Sequence, residues 1–96
     1  MSTIEYVRFA SADQAALIAS RDQLVEVLRA RYGSDFQGAH LAGLEDGSFV
    51  EFMIWSSPEA AARAAQEMPT EPAAASFFNL IGEVHEMRHA QVLHTA

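Results

Sequence analysis

The segment VHEMRHAQVLH, residues 84–94, contains the two histidines and the glutamate of the zinc-peptidase motif H-E-x-x-H. In those enzymes the two imidazoles lie one helical turn apart and hold the metal, while the glutamate acts as general base. On a strand, His85 and His89 would lie roughly 13 Å apart at ~3.3 Å per residue, too far to share one zinc ion. The chemistry of this segment therefore depends on its secondary structure.

The whole chain has the size and composition of one small globular domain, which we expect to span residues 1–96. Its net charge of -7 and its six Lys and Arg residues disfavour nucleic acid and anionic membranes as partners. The absence of cysteine excludes disulfides, thiolate catalysis and Cys-ligated zinc. The sequence has neither a signal-like N-terminus nor a run of ~18 apolar residues, so we expect a soluble cytoplasmic protein.

Residues 3–9 alternate in polarity, which predicts a strand. Its two sides carry Val7 with Phe9 and Tyr6 with Arg8. A helix is predicted next, because Ser11 and Gln14 have the form of a capping box and Leu17, Leu24 and Leu28 recur at helical spacing. Gly33 is the residue at which this helix should end.

Residues 36–55 predict a β-hairpin, because Asp46-Gly47 stands between two alternating segments and is typical of a two-residue turn. Such a turn would set His40 opposite Met53 and give the sheet one apolar side and one mixed side. We expect the apolar side to carry the helices and a second subunit to cover the mixed side. The apolar side would comprise Ala39, Leu41, Val50, Phe52 and Ile54, and the mixed side Phe36, His40, Glu51, Met53 and Trp55.

The segment SSPEAAARAAQEM, residues 56–68, predicts a second helix, since a serine can cap it and Pro58 suits its first position. A short third helix is predicted within residues 73–81. Residues 83–93 then supply the strand that completes a β-α-β-β-α-β order. On that strand the H-E-x-x-H string does not chelate zinc, so a metal-dependent hydrolase is the least favoured function and no metal site is expected.

The order of elements, the hairpin ending in FVEFMIWSSPEAAARA and the late segment SFFNLIGEVHEMRHAQVLH resemble the dimeric α/β-barrel superfamily, specifically antibiotic-biosynthesis-monooxygenase-type domains. In those domains a strand ends in Trp and is followed by a Ser or Asp cap, Glu-Ala and a helix, as residues 55–60 are here. The resemblance covers nearly the whole chain. It implies a ferredoxin-like α+β fold, in which a four-stranded antiparallel sheet carries helices on one face and two sheets pack through their other faces in a homodimer.

The resemblance also implies a chemistry. Members that oxidise phenols to quinones use O2 without metal or flavin, and haem-degrading members need a helix histidine that residues 58–69 lack. A monooxygenase without a cofactor, acting on a small aromatic molecule such as a quinol or a polyketide-like compound, is therefore expected. The alternative from another class is a non-catalytic dimeric module that binds a small ligand or a partner protein.

His40 and Glu51 are the predicted catalytic residues, because on the mixed side they would lie diagonally and could exchange a proton with an aromatic ligand. The predicted substrate-binding residues are Tyr6, Arg8, Met53, Trp55, Phe78, Asn79 and His85. In the alternative interpretation, Arg8, His40 and Glu51 satisfy one another at a dimer interface. His85 and His89 would then be interface or surface histidines, since the sequence does not orient the last strand.

Overall fold

The computed structural model describes all residues from 1 to 96 and consists of one antiparallel sheet with helices on one face. The elements are β1 (Thr3–Phe9), α1 (Gln14–Tyr32), β2 (Phe36–Gly43), β3 (Phe49–Trp55), α2 (Pro58–Glu67), α3 (Ala75–Phe78) and β4 (Val84–Gln91). The four strands lie in the order β2-β3-β1-β4. This topology confirms the predicted ferredoxin-like α+β fold. None of the helices is both long and apolar enough to cross a membrane.

Helix α1 begins two residues later than a Ser11 cap predicted. Asp13 is the N-cap, and its carboxylate accepts a hydrogen bond from the backbone N–H of Ala16 at 2.9 Å. Ser11 instead lies outside the helix, where its hydroxyl accepts from the N–H of Asp13 at 3.4 Å. Aspartate is as good an N-cap as serine, and Asp13 directly precedes the first helical residue. The helix ends at Gly33, as predicted, with φ of 56°.

The β2–β3 hairpin has a three-residue loop, so the predicted two-residue turn was wrong. The backbone N–H of Gly47 donates to the carbonyl of Leu44 at 3.0 Å, and the N–H of Leu44 donates to the carbonyl of Ser48 at 2.8 Å. Gly47 has φ of 87°, the left-handed conformation that follows a type I turn in such loops. The Asp46 carboxylate fixes the turn by accepting from the N–H of Ser48 at 2.9 Å and from its hydroxyl at 2.6 Å.

This one-residue difference moves the side chains of β2 relative to β3. His40 lies opposite Phe52, whereas Leu41 lies opposite Glu51. Because neighbouring residues of a strand point to opposite faces, His40 and Glu51 are on different sides of the sheet, and their predicted common face was wrong. An irregularity between Phe36 and Gly38 then brings Phe36 opposite Trp55.

The helices also cover the opposite side of the sheet from the one predicted. The side of β3 that carries Glu51, Met53 and Trp55 is buried beneath them, and the side that carries Phe52 and Ile54 has no element over it. The apolar alternation of β3 therefore did not identify the helix-bearing side. The reason is that both sides of this strand are largely apolar, so the remaining elements decide which one is covered.

The core lies between the sheet and α1. Leu17, Leu24 and Leu28 of α1 are fully buried against it. Trp55 is also fully buried, and its ring meets those of Tyr32 and Phe36 edge-on at centroid distances of 5.2 and 5.4 Å. Edge-to-face packing of this kind stabilises the end of the sheet at which β2 and β3 meet α1.

Strand β4 is the edge strand beside β1 and confirms that the H-E-x-x-H string lies on a strand. Met87 lies opposite Val7 and His89 opposite Glu5, both on the helix-bearing side. The register shifts at the start of the strand, so that Glu86 lies opposite Arg8 and Val84 opposite Phe9. His85 falls between these two pairs and is exposed.

Candidate functional site

A cavity of about 370 Å³ lies between the helix-bearing side of the sheet and the helices. This volume falls within the range of small-molecule sites, about 300–1,000 Å³. Its wall is almost entirely apolar and includes three phenylalanines and the only tryptophan of the chain. The lining residues from the sheet are Glu5, Val7, Phe9, Glu51, Met53, Trp55, Val84 and Met87; those from the helices and their connections are Leu24, Leu28, Ala64, Ala65, Met68, Pro69, Phe77, Phe78 and Ile81.

Glu51 is the most deeply buried charged side chain in this cavity, with 2% of its surface exposed. Its Oε1 is paired with the guanidinium of Arg21, which reaches down from α1. Its Oε2 is buried and has no hydrogen-bond partner. Burial raises the pKa of Glu51 to about 7, because desolvation of the carboxylate outweighs the opposing charge of Arg21. Near neutral pH this group therefore exists in both protonation states.

Glu5 is a second buried carboxyl group in the cavity wall. Its Oε2 lies 3.2 Å from Nε2 of His89 on the neighbouring strand β4. Burial raises the pKa of Glu5, while the hydrogen bond and charge of His89 act in the opposite direction. Glu5 lies opposite Met53, so Glu5 and Glu51 are diagonal neighbours across β1 and β3, with Cα atoms about 7–8 Å apart.

Trp55 adds an unused hydrogen-bond donor to the same wall. Its indole Nε1 is buried without an acceptor, and the hydroxyl of Thr3, the residue opposite it on β1, is also buried without a partner. A buried polar group that lacks a partner costs about 1–3 kcal/mol, which a ligand bearing the complementary group would recover. The cavity can therefore enclose an apolar ring system, and the carboxyl groups of Glu5 and Glu51 and the indole of Trp55 belong to residues of its wall.

The structure brings four of the nine sequence-predicted site residues to this cavity. Glu51, Met53, Trp55 and Phe78 line it. The hairpin register places His40 on the other side of the sheet, opposite Phe52. Tyr6 and Arg8 of β1 lie on that side too, opposite Phe52 and Val50. Asn79 and His85 are exposed and do not line the cavity.

Three polar residues of the site were missed in the sequence. Arg21 was not among the predicted site residues, although it follows Leu17 by four residues and precedes Leu24 by three, which is the spacing of one helix face. Glu5, Val7 and Phe9 follow one another at a spacing of two residues in β1. Because side chains alternate between the two faces of a strand, this spacing already placed Glu5 on the same face as Val7 and Phe9. His89 carried no comparable signal, because the sequence does not orient an exposed edge strand.

Comparison with known proteins identifies the fold through solved structures and not through sequence. No protein-family model matches the chain, and no curated protein sequence matches it significantly. SnoaB, a cofactor-independent oxygenase from Streptomyces nogalater, superposes with a TM-score of 0.68 at 18% identity, over 98% of this chain and 95% of that one. A proposed antibiotic biosynthesis monooxygenase from Chloroflexus aurantiacus gives 0.67 at 15% identity, over 100% and 97%.

A third solved structure is a dimeric ferredoxin-like protein of unknown function from a Jannaschia species, with a TM-score of 0.60 at 7% identity over 96% of this chain and 100% of that one. All three likenesses extend along the full domain at low identity. The chain therefore has the ferredoxin-like fold of antibiotic biosynthesis monooxygenases, as the resemblance in its sequence implied.

Proposed function

We propose that this protein oxidises a small aromatic molecule, such as a quinol or a polyketide-like phenol, with O2 and without a cofactor. The observation that carries the proposal is the apolar cavity in which Glu51 is held beside aromatic walls with one carboxylate oxygen free. The fold shared with a cofactor-independent oxygenase is consistent with this chemistry. The non-catalytic binding module of the same fold would use the same cavity, so an assay of turnover separates the two functions.

Glu51 acts as the general base in this proposal. In its ionised form the carboxylate takes the proton of a phenolic hydroxyl, and the electron-rich anion that results can pass electrons to O2. For a ring methylene next to the hydroxylated system, one O2 converts the CH2 group into a carbonyl and releases one water. The indole N–H of Trp55 is the donor for a ligand oxygen, and the apolar wall excludes water from the reactive anion.

Replacement of Glu51 by glutamine tests this role directly. We expect Glu51→Gln to lower the rate of O2 consumption with quinols and anthrones by about 100-fold or more, because glutamine cannot accept the proton. In the wild type, the rate should rise as the pH is raised through about 7, since the ionised form of Glu51 is the active one. Oxygen-electrode measurements across a substrate panel provide both readouts.

Glu26→Gln is the matched control, because Glu26 is exposed on α1 and makes no ion pair. It should retain the wild-type rate. His40→Ala tests whether the catalytic residue predicted from the sequence is needed, since His40 lies on the other side of the sheet from the cavity. We expect the wild-type rate of O2 consumption. A decrease as large as that of Glu51→Gln would show that His40 takes part in the reaction. Absence of O2 consumption above the blank with every substrate, together with binding of those substrates, would favour the non-catalytic module.

We also propose that the protein is a homodimer formed through the uncovered side of the sheet. Ile4, Tyr6, Phe52 and Ile54 form a contiguous, half-buried apolar patch there, in which the rings of Tyr6 and Phe52 meet at 5.4 Å. A monomeric protein rarely leaves an apolar sheet face open to water. The dimeric state of the Jannaschia structure named above supports a second copy as the occupant.

Sedimentation velocity tests the dimer. We expect the wild type to sediment as a dimer and Phe52→Asp as a monomer, since an unpaired carboxylate in a closed apolar interface costs several kcal/mol. Ile18→Asp is the control, because Ile18 is 57% exposed on α1, on the helix-bearing side. A wild type that stays monomeric at high concentration would contradict the proposal.

A further inference from the structure

We infer that Glu5 and His89 form a proton relay between the cavity and solvent, through which Glu51 exchanges protons with water while an aromatic ligand fills the cavity. The inference rests on the proposed function in one respect, namely that the ligand is an aromatic hydroxy compound. It assigns a role to a pair of residues that the proposed oxidation does not use.

The position of the pair suits a relay. Glu5 lines the cavity, and only 8% of its surface is exposed. Its Oε2 is within hydrogen-bond distance of His89 Nε2, at 3.2 Å. The His89 side chain is 33% exposed, because it stands on the edge strand β4. One end of the pair therefore reaches the ligand and the other end reaches water.

The opening of the cavity explains why a relay is needed. Val84 and Met87 line the cavity from β4 and are 51% and 50% exposed, so the cavity reaches the surface at this edge. An aromatic ligand that enters past these two side chains displaces the water between them. The pair of Glu5 and His89 is then the connection that can pass a proton on, since the lining residues from the helices are all apolar and the Arg21 guanidinium beside Glu51 keeps its proton.

The charged groups around the relay are few. Glu51 faces Glu5 from β3, Arg21 faces Glu51 from α1, and His89 faces Glu5 from β4. Because the pKa of Glu51 is about 7, many complexes near neutral pH form with Glu51 protonated and unable to act as a base. Such a complex becomes active only when this proton leaves the closed cavity.

The transfer moves protons alone and changes no oxidation state. The Glu51 proton passes through the ligand hydroxyl to the Glu5 carboxylate, and from Glu5 Oε2 to Nε2 of a neutral His89. The Nδ1 proton of His89 leaves to water as Nε2 becomes protonated, which is the ordinary action of histidine as a shuttle. The exposed ring then regains its first tautomer by exchange with solvent.

A phenolic dye in the cavity tests the relay without any oxidation. The probe is 7-hydroxycoumarin, whose neutral and anionic forms have separate excitation bands; quenching of Trp55, the only tryptophan, reports its binding. Under argon, the complex is mixed in a stopped-flow instrument from about pH 8 to about pH 6, and protonation of the bound dye is followed. In the wild type this step should precede dissociation of the dye, which is measured separately by displacement.

We expect His89→Ala to slow protonation of the bound dye by about tenfold or more. Added imidazole should restore the rate in His89→Ala, because a small base can occupy the vacated site next to Glu5. Glu5→Gln should be equally slow and should not respond to imidazole, since glutamine cannot carry the proton. His94→Ala is the matched control, because His94 is exposed in the C-terminal segment and should leave the rate unchanged.

The outcomes separate the relay from the proposed function. A wild-type rate of dye protonation in His89→Ala overturns the relay, whether or not the protein consumes O2. A relay that behaves as expected in a protein without O2 consumption overturns only the proposed oxidation. Failure of the dye to quench Trp55 overturns the relay, because the relay requires a hydroxylated aromatic ligand in this cavity, and leaves the proposed oxidation to the O2 measurements.

Discussion

Trp55→Ala is expected to lower the free energy of unfolding by about 3–5 kcal/mol, the usual loss for truncation of a large buried aromatic side chain. Trp55 is fully buried, and two aromatic rings pack against it edge-on. Since small domains have total stabilities of about 5–15 kcal/mol, this change should bring the protein close to unfolding. Urea denaturation followed by far-UV circular dichroism, at one fixed protein concentration, measures the loss.

Trp55→Phe is the informative control, because it keeps a ring but removes the indole N–H. That N–H has no acceptor, so its removal breaks no hydrogen bond and the loss should stay below about 1.5 kcal/mol. The same variant should weaken binding of ligands that carry a carbonyl oxygen, because the proposed donor is gone. A loss below about 1 kcal/mol for Trp55→Ala would show that the ring is not part of a packed core.

Arg21→Met is expected to destabilise the protein by about 3–5 kcal/mol at about pH 8, because it leaves the Glu51 carboxylate buried without a countercharge. The loss should shrink towards about pH 5, where Glu51 can be protonated in the folded protein. In the wild type, burial raises the pKa of Glu51 from 4.5 to about 7, so the folded state binds more protons than the unfolded state between these values. The Glu51 contribution to stability therefore falls as the pH rises through this window, by about 3 kcal/mol at about 1.4 kcal/mol per pKa unit.

Two further variants distinguish lost charge from lost packing. Arg29→Met on the same helix should cost less than about 0.5 kcal/mol, because Arg29 is exposed and makes no ion pair. The double variant Arg21→Met with Glu51→Leu should recover most of the stability at about pH 8, since an apolar pair of similar size needs no countercharge. An Arg21→Met loss that is equal at both pH values would contradict the role of Glu51 charge.

The candidate site was predicted only in part, and the reasons are specific. Glu51, Met53 and Trp55 were correctly grouped, because residues of one strand at a spacing of two share a face whatever the register. His40 was joined to them through the hairpin, where a turn one residue longer reverses the face of every residue on the partner strand. The sequence Asp46-Gly47 is compatible with both turns, since glycine can adopt a left-handed conformation in either.

The sequence by itself determined the order of strands and helices, including a last β-strand within residues 83–93, and therefore the fold, because polarity patterns and helix caps depend on only a few neighbouring residues. Only the tertiary structure decided which side of the sheet the helices cover, and with it the composition of the cavity. Both sides of β3 are rich in apolar residues, so burial of either side would satisfy the local pattern. The choice follows from contacts between residues distant in the chain, among them the ion pair of Arg21 with Glu51 and the edge-on packing of Tyr32 and Phe36 against Trp55.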